Sequence, residues 1–407
     1  MARGELSPRL KSLLGSAATV GAAPGGAALV APDSETACAL LLRTASLEGW
    51  RVRIEGGGSW IPRDAPADVV LSTARLAGLT DVAPADLVAT ADAGIPWADL
   101  RRGLADHGMW LAHDAPGGDR TLGSLLATAT TGPLRAGFGM LRDQVLGLTL
   151  VTGDGRTVRV GGRVVKNVAG YDLAKLAAGS FGAFGVVTAV HLRLRAVPRA
   201  DLTLLAEGQR DALLDAARAI LAPGLAPAAL ELVAPGAAGG SAWTLAVRLV
   251  GTDGEVAADR QTVFECARLP LREHTGADAA LFWSTVLEGA VAAPLTARLG
   301  AAPDGLEDAL DLLAHHLDEP VADWITATVP AGVIRWSGNA GPDALIRFRA
   351  AAAEREWPVT LERAPWAVRA RVGHFGAYRE GVVRLVGGLR RAFDPAGVLV
   401  APLGTDA

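Results

Sequence analysis

A chain of 407 residues exceeds what one ordinary hydrophobic core organises, so two or three domains are expected. Half the residues are apolar, a fifth are charged, and the formal net charge of -4 gives no electrostatic case for nucleic-acid binding. Cys38 and Cys266 stand alone, with no CxxC or Cys/His cluster, which argues against a zinc or iron–sulfur site, so no metal is expected.

The chain opens with Arg3, Glu5, Arg9 and Lys11, then a Gly/Ala/Pro-rich segment that makes a poor signal core. No run of about 18 apolar residues could span a bilayer. The expectation is a cytoplasmic protein, held at a membrane, if at all, through a partner. Residues 34–48 begin on a Ser cap and keep apolar residues at helical spacing. Residues 50–54 (WRVRI) alternate as a half-buried strand does, and GGGSW follows at 56–60. A strand is expected at 68–72, another at 87–93 and a helix at 96–106. A second glycine-bearing loop, AHDAPGGDRTLGS (112–124), leads into a small-residue helix at 121–130. Strands at 145–151 and 156–160 flank a hairpin-type GDG turn at 153–155.

The densest stretch is GGRVVKNVAGYDLAKLAAGSFGAFGVVTAV, residues 161–190. Gly179, Gly182 and Gly185 fall at period three beside Lys166, Asn167, Tyr171 and Asp172. Glycine permits a backbone approach that a Cβ would block, so the stretch reads as one wall of a cofactor cleft. Asp172 also suits the N-cap of a helix at 173–178. Pro198 closes this block. Beyond it the pattern is mixed α+β: strands at 201–206 and 243–249, and helices at 209–221, 253–267, 305–316 and 341–354. Further strands are expected near 324–336 and 358–362, and a last helix at about 376–393. Residues 222–240 read as an Ala/Gly/Pro linker.

Three glycine loops could hold a nucleotide: 56–59, 117–123 and 179–185. Consecutive backbone N–H groups in GGGS can form an anion nest, although a plain tight turn would look the same. A Rossmann loop is disfavoured, because GSFGAFG has the wrong spacing and leads into a strand rather than a helix. No GK[ST] of a Walker A loop exists.

Together the motifs resemble the FAD domain of the vanillyl-alcohol-oxidase/p-cresol-methylhydroxylase (PCMH-type) family. GGGSW matches its first loop. Pro116, Gly117, Gly118, Thr121, Leu122 and Gly123 match its second, with Ser124 where a second Gly is common. Gly139-Met-Leu-Arg142-Asp143-Gln-Val-Leu-Gly147 matches its G-x-x-R-D-x-V-L-G segment, and Gly179–Thr188 its closing motif. Within the family, GRVVKNVAGYDLAKLAAGSFGAFGVVT, residues 131–147 and the terminal RRAFDPAGVL resemble the FAD-binding (E-type) subunits of glycolate oxidases. The resemblance implies an α+β chain with a PCMH-type, two-subdomain FAD-binding domain at 1–199 (subdomains about 1–84 and 85–199). A smaller α+β cap or substrate domain would follow at 200–375, and a C-terminal helix and tail at 376–407 would return to the FAD domain.

It also implies non-covalent FAD, since the first loop lacks an anchoring His and neither Cys is in a matching position. Gly56, Gly57, Gly58 and Ser59, with Gly117 and Gly118, would hold the pyrophosphate. Trp60 departs from the family there. Pro116, Thr121, Gly123 and Gly182 belong to the matching loops, and Gly185, Val186 and Val187 to the segment whose main chain meets the cofactor. Arg142 and Asp143 would either touch FAD or brace the loop as a buried ion pair. Lys166 would place a cation near flavin N1, or else cap a surface turn.

No catalytic base is legible, and the family's His-rich metal-and-base cluster has no counterpart. Substrate contact falls weakly on Arg335 and His374. Arg363, Arg369 and Arg371 are further clamp candidates, and Arg135 and His113 would face the cleft. The implied activity is that of a flavoprotein oxidoreductase subunit in a hetero-oligomer acting on glycolate or another 2-hydroxy acid. Its partners would be a D-type catalytic FAD subunit and an iron–sulfur F-type subunit. A self-contained FAD-dependent alcohol or hydroxy-acid oxidase, and a non-catalytic scaffold with a vestigial FAD site, are the alternatives.

Overall fold

The computed structural model describes residues 3–60, 62–162, 172–235, 242–317, 324–376 and 380–402. Two small sheets form the first half. One has the strand order Ala18–Ala22, Ala28–Pro32, Val69–Ser72, Val52–Glu55. Its first pair is antiparallel and its last two pairs are parallel. Helix Glu35–Glu48 packs on it. The Ser34 hydroxyl accepts from Ala37 N at 3.3 Å, Gly49 ends the helix at φ 71°, and Cys38, Leu41, Leu42 and Ala45 are buried against Val52, Val69 and Leu71.

The second sheet is antiparallel, in the order Leu79–Ala83, Val88–Asp92, Val186–Arg193, Val145–Val151, Thr157–Gly161. Its central strand begins immediately after Gly185, whose φ is 141°. A Cβ there would collide with the Val151 carbonyl, so this glycine is required by the neighbouring strand as much as by any ligand.

The second half is built on one antiparallel sheet of eight strands. Their order is Arg272–Thr275, Ala200–Gly208, Trp243–Gly251, Ala229–Val233, Trp324–Thr328, Val333–Gly338, Leu295–Gly300, Val359–Arg363. Side chains alternate across a strand, and that alternation decides what each face carries. Leu230, Leu232, Ile334, Trp336, Leu295, Ala297, Leu299, Val359 and Leu361 join helices Arg210–Leu221, Asp253–Ala267, Leu306–Leu317 and Pro342–Ala353 in the largest core. The alternate positions put Glu231, Arg335, Arg298 and Glu362 on the opposite face. That face meets the loop after helix Leu122–Thr128: Arg298 and Arg335 donate to the carbonyls of Ala129 and Thr131 at 3.1 and 2.9 Å.

The tail comes back to the first sheet. After helix Glu380–Phe393, the Asp394 carboxylate accepts from Val398 N and Leu399 N at 3.0 and 2.8 Å. Val52 N then donates to Val398 O, and Val400 N to Val52 O, each at 2.8 Å.

Two expectations change. The 222–240 stretch is not simply a linker, because Ala229–Val233 is an interior strand of the large sheet. The 324–336 stretch is two antiparallel strands around a turn at Val329–Ala331, closed by Gly332 at φ 59°. Among the described residues no helix is long and apolar enough to cross a membrane.

Candidate functional site

The three glycine loops, far apart in sequence, converge on one cleft of about 770 Å³, part of it open to solvent. Its walls come from the end of strand Val52–Glu55 with the loop to Trp60, from helix Leu122–Thr128, and from Ser180–Gly182 with Gly185–Val187. Arg53, Ile54, Glu55, Trp60 and Phe181 are the larger side chains that line it.

Loop one is shaped from behind. Arg53, buried, donates to the carbonyls of Pro62, Arg63 and Ala65 at 3.2, 2.7 and 2.8 Å, fixing the chain that leaves the loop. Gly58 turns the loop at φ 70°. Cβ atoms on Gly56 or Gly57 would collide with the Thr121 hydroxyl or the Asp119 carbonyl, so loop two is packed directly on loop one. Among the described residues no acceptor takes the backbone N–H of Gly56, Gly57, Gly58, Ser59 or Trp60. Buried or half-buried N–H groups are rarely left without a partner, and successive ones aimed into a cleft suit an anion. This donor set fits a dinucleotide pyrophosphate.

Loop two ends in helix Leu122–Thr128, whose Thr121 cap accepts from Ser124 N at 3.3 Å. A Cβ on Gly123 would strike the backbone of Ala93. Gly117 turns at φ 88°, Gly118 is open to solvent, and Pro116 is buried beside the cleft without lining it. In loop three Phe181 lies at φ 54° between Gly179 and Gly182, an outlier for a bulky residue. Its N–H donates to Ala127 O at 2.8 Å, and its ring meets His374 and Phe375 at 4.4 and 5.1 Å.

Arg142 and Asp143 stand away from this cleft. They are each 45% exposed and 3.8 Å apart, and Asp143 caps Met140 N at 3.0 Å, so they form no buried ion pair. Lys166, Asn167 and Tyr171 lie outside the described residues. Asp172 is the N-cap expected of it, accepting from Lys175 N at 3.2 Å. Both cysteines are free; burial, with Glu35 and Asp33 nearby, pushes the Cys38 thiol up to about 12.

The clamp candidates are committed elsewhere. Arg335 donates to Glu362 at 2.9 Å, and Arg298 stands 3.4 Å from the same carboxylate. Burial alone would favour the neutral acid, but Arg335 and Arg298 hold Glu362 below the usual carboxylate range. Arg363 donates to the carbonyls of Val291 and Ala293, and exposed Arg371 pairs with Asp343 at 2.5 Å. Arg369 donates to Leu361 O, Glu362 O and Trp60 O and bonds His374 Nδ1, so both lie behind loop one. His113 is buried edge-on to Trp97, its pKa pushed down to about 3 by burial with Arg120 adding to the shift. Arg135 is half-buried and does not line the cleft.

Sequence reasoning missed three groups here. Arg120 is fully buried with its Cζ 4.1 Å over the Trp60 ring. Asp114 binds Leu134 N with both oxygens, at 3.1 and 3.3 Å, and burial pushes it up to about 6. Glu231 is buried, and its desolvation outweighs the facing Thr328 and Thr326 hydroxyls and pushes it up to about 8 from an ordinary value of 4.5. A carboxyl whose folded pKa is raised keeps its proton longer folded than unfolded, so its contribution is complete below about pH 4.5 and is lost as pH climbs through about 8. Glu231→Gln is therefore expected to flatten the fall in stability across that window, gaining on the wild type at alkaline pH. Urea midpoints at about pH 5.5 and about pH 8.5 test this; equal slopes for both proteins would contradict it.

Comparison with known proteins fits this geometry. Residues 26–161, about a third of the chain, match the family model described as FAD binding domain. Alkyldihydroxyacetonephosphate synthase superposes with a TM-score of 0.68 at 17% identity, covering 91% of this chain and 75% of that one. 4-Ethylphenol oxidase from Gulosibacter chungangensis gives 0.71 at 14% identity, covering 91% and 88%. The fold is therefore the PCMH-type flavoenzyme fold, and its first half contains a match to an FAD-binding domain. Among curated proteins, glycolate oxidase subunit GlcE of Escherichia coli is 40% identical over 132 residues, 32% of this chain and 38% of that protein. The mitochondrial cytochrome D-lactate dehydrogenase of Arabidopsis thaliana is 31% identical over 205 residues, 47% and 35% of the two chains. Both matches span well under half the length of the relative.

Proposed function

We propose that this chain is the FAD-binding subunit of a glycolate, or closely related 2-hydroxy-acid, dehydrogenase complex. The observation that carries the reading is the convergence of three glycine loops on one cleft whose first loop presents backbone donors to no acceptor among the described residues. Gly56, Gly57, Gly58 and Ser59 hold the pyrophosphate, and Gly182, Gly185, Val186 and Val187 form the opposite wall. The bound FAD supplies the redox chemistry. Among the described residues no His, Cys or Tyr lines the cleft, which supports non-covalent binding. The similarity to GlcE, and to the glycolate oxidase subunit GlcD of Bacillus subtilis (32% identical over 168 residues), supports the substrate class. On this reading substrate is oxidised on a D-type FAD subunit and electrons leave through an iron–sulfur F-type subunit. The commitment of Arg298, Arg335, Arg363, Arg369 and Arg371 to internal partners supports the dependent role, since binding a substrate carboxylate calls for a guanidinium fork free to receive it.

The test is anaerobic titration of the FAD-loaded chain with glycolate, first alone and then with the two partner subunits. The flavin bands are expected to persist alone and to bleach in the complex. Bleaching of the isolated chain would replace this reading with a self-contained oxidoreductase.

A further inference from the structure

We infer that Arg120 is a cofactor-positioning residue: its buried guanidinium, over the Trp60 ring just behind the cleft wall, favours an anionic group of the flavin dinucleotide in front of that wall. The inference rests on the FAD cleft described above. Arg120 is completely buried, and every hydrogen bond it makes goes to a neutral group. Nε donates to Ser124 Oγ at 3.0 Å, and Nη2 to Thr128 Oγ1 at 2.7 Å, Thr130 Oγ1 at 3.3 Å and the Ser124 carbonyl at 3.3 Å. Nη1 has no acceptor among the described residues, and neither has the indole Nε1 of Trp60.

A buried cation is costly unless it is paired, and Arg120 hydrogen-bonds no carboxylate, with Glu362 and Asp119 favouring its charge only through space. The buried carboxylate that could have served, Glu362, is taken by Arg335 and Arg298. Burial draws the Arg120 pKa down only to about 9, so the group is still charged at neutral pH. Its place completes the argument. Trp60, Ser124 and Thr128, which hold it, are themselves cleft wall, and Arg120 lies where loops one and two touch. A charged fork with an unused N–H at that position suits an oxyanion. Trp60, the departure in the glycine motif, then acts as a platform for the guanidinium.

Two parts of the dinucleotide offer such a charge: the pyrophosphate, and the N1–C2 carbonyl edge of the reduced ring. Apo-protein titrated with FAD and with riboflavin, followed by flavin fluorescence, separates them when wild type, Arg120→Gln and Arg120→Lys are compared. The potential of the bound flavin is measured alongside. Arg120→Gln is expected to bind FAD about ten-fold more weakly, the order expected of losing one charge close behind the wall. Arg120→Lys, which keeps the charge and loses the fork, should fall between. Unchanged riboflavin affinity assigns the effect to the pyrophosphate; weakened riboflavin binding with a lowered potential assigns it to the ring. A folded Arg120→Gln with wild-type FAD affinity and potential overturns the inference. If only the Lys variant folds, FAD binding no weaker than wild type overturns it equally. A wild-type chain that takes up no FAD overturns the cleft reading itself.

Discussion

Gly57→Ala abolishes flavin binding while Gly118→Ala does not. A Cβ on Gly57 would lie far inside contact distance of the Asp119 carbonyl, and the obstacle is backbone that cannot rotate aside. The substitution can be accommodated only by separating loop one from loop two. That displaces the N–H groups of residues 56–60, and a displacement of about 1 Å is enough to undo a preorganised site. Gly118 has open space where its Cβ would go and belongs to the same loop system, so its variant controls for loop composition. We expect the Gly57 variant to lose at least about a hundred-fold in FAD affinity, equivalent to two or more charge-assisted hydrogen bonds. Its core should stay folded, because the loop lies outside the sheets. Equilibrium binding of FAD to both variants decides the matter; equal affinities would show that the nest does not hold the cofactor.

Arg335→Met is expected to cost about 3–5 kcal/mol of folding stability, the usual range for removing one partner of a buried ion pair. Glu362 would keep Arg298 at 3.4 Å but lose its closer partner, and Thr131 O would lose its donor. The double variant Arg335→Met/Glu362→Gln takes the carboxylate from Arg298 as well, leaving that buried cation unpaired, and should recover little of the loss. FAD affinity should fall in the single variant too, because Arg298 and Arg335 fasten the carbonyls of Ala129 and Thr131 in the loop that follows Thr128 of the cleft wall. Chemical denaturation of both variants is the check. Recovery of most of the stability in the double variant would mean that Arg298 does not depend on Glu362.

How far the sequence reached varies by element, for physical reasons. The cleft loops were legible because glycine is required wherever backbone meets backbone. Gly57, Gly123 and Gly185 each have a neighbouring main chain within a Cβ's reach, so the motif reflects the fold as well as a ligand. Helix Glu35–Glu48 and strand Trp243–Gly251 were legible from a Ser cap and from alternation. Strand Ala229–Val233 was hidden, because its short apolar run is embedded in Ala, Gly and Pro that suit a linker equally well. With it went Glu231, which only the pairing to Thr328 carries into the interior. Arg120 and Arg298 could not be singled out among 36 arginines, since a buried guanidinium and a surface one look the same in a sequence, and Arg335, expected at the substrate, is instead paired with Glu362. Arg142 and Asp143 show the converse: a gap-free motif match whose side chains face solvent.

The account depends most directly on the cleft holding FAD without a covalent link. The measurement is the visible absorption spectrum of the chain purified alone under mild conditions and supplied with FAD, followed by acid denaturation and analysis of the supernatant. Oxidised-flavin bands near one FAD per chain, with all the flavin released as FAD, are the predicted result. A colourless protein that takes up no added FAD, or flavin that stays with the denatured polypeptide, would contradict it.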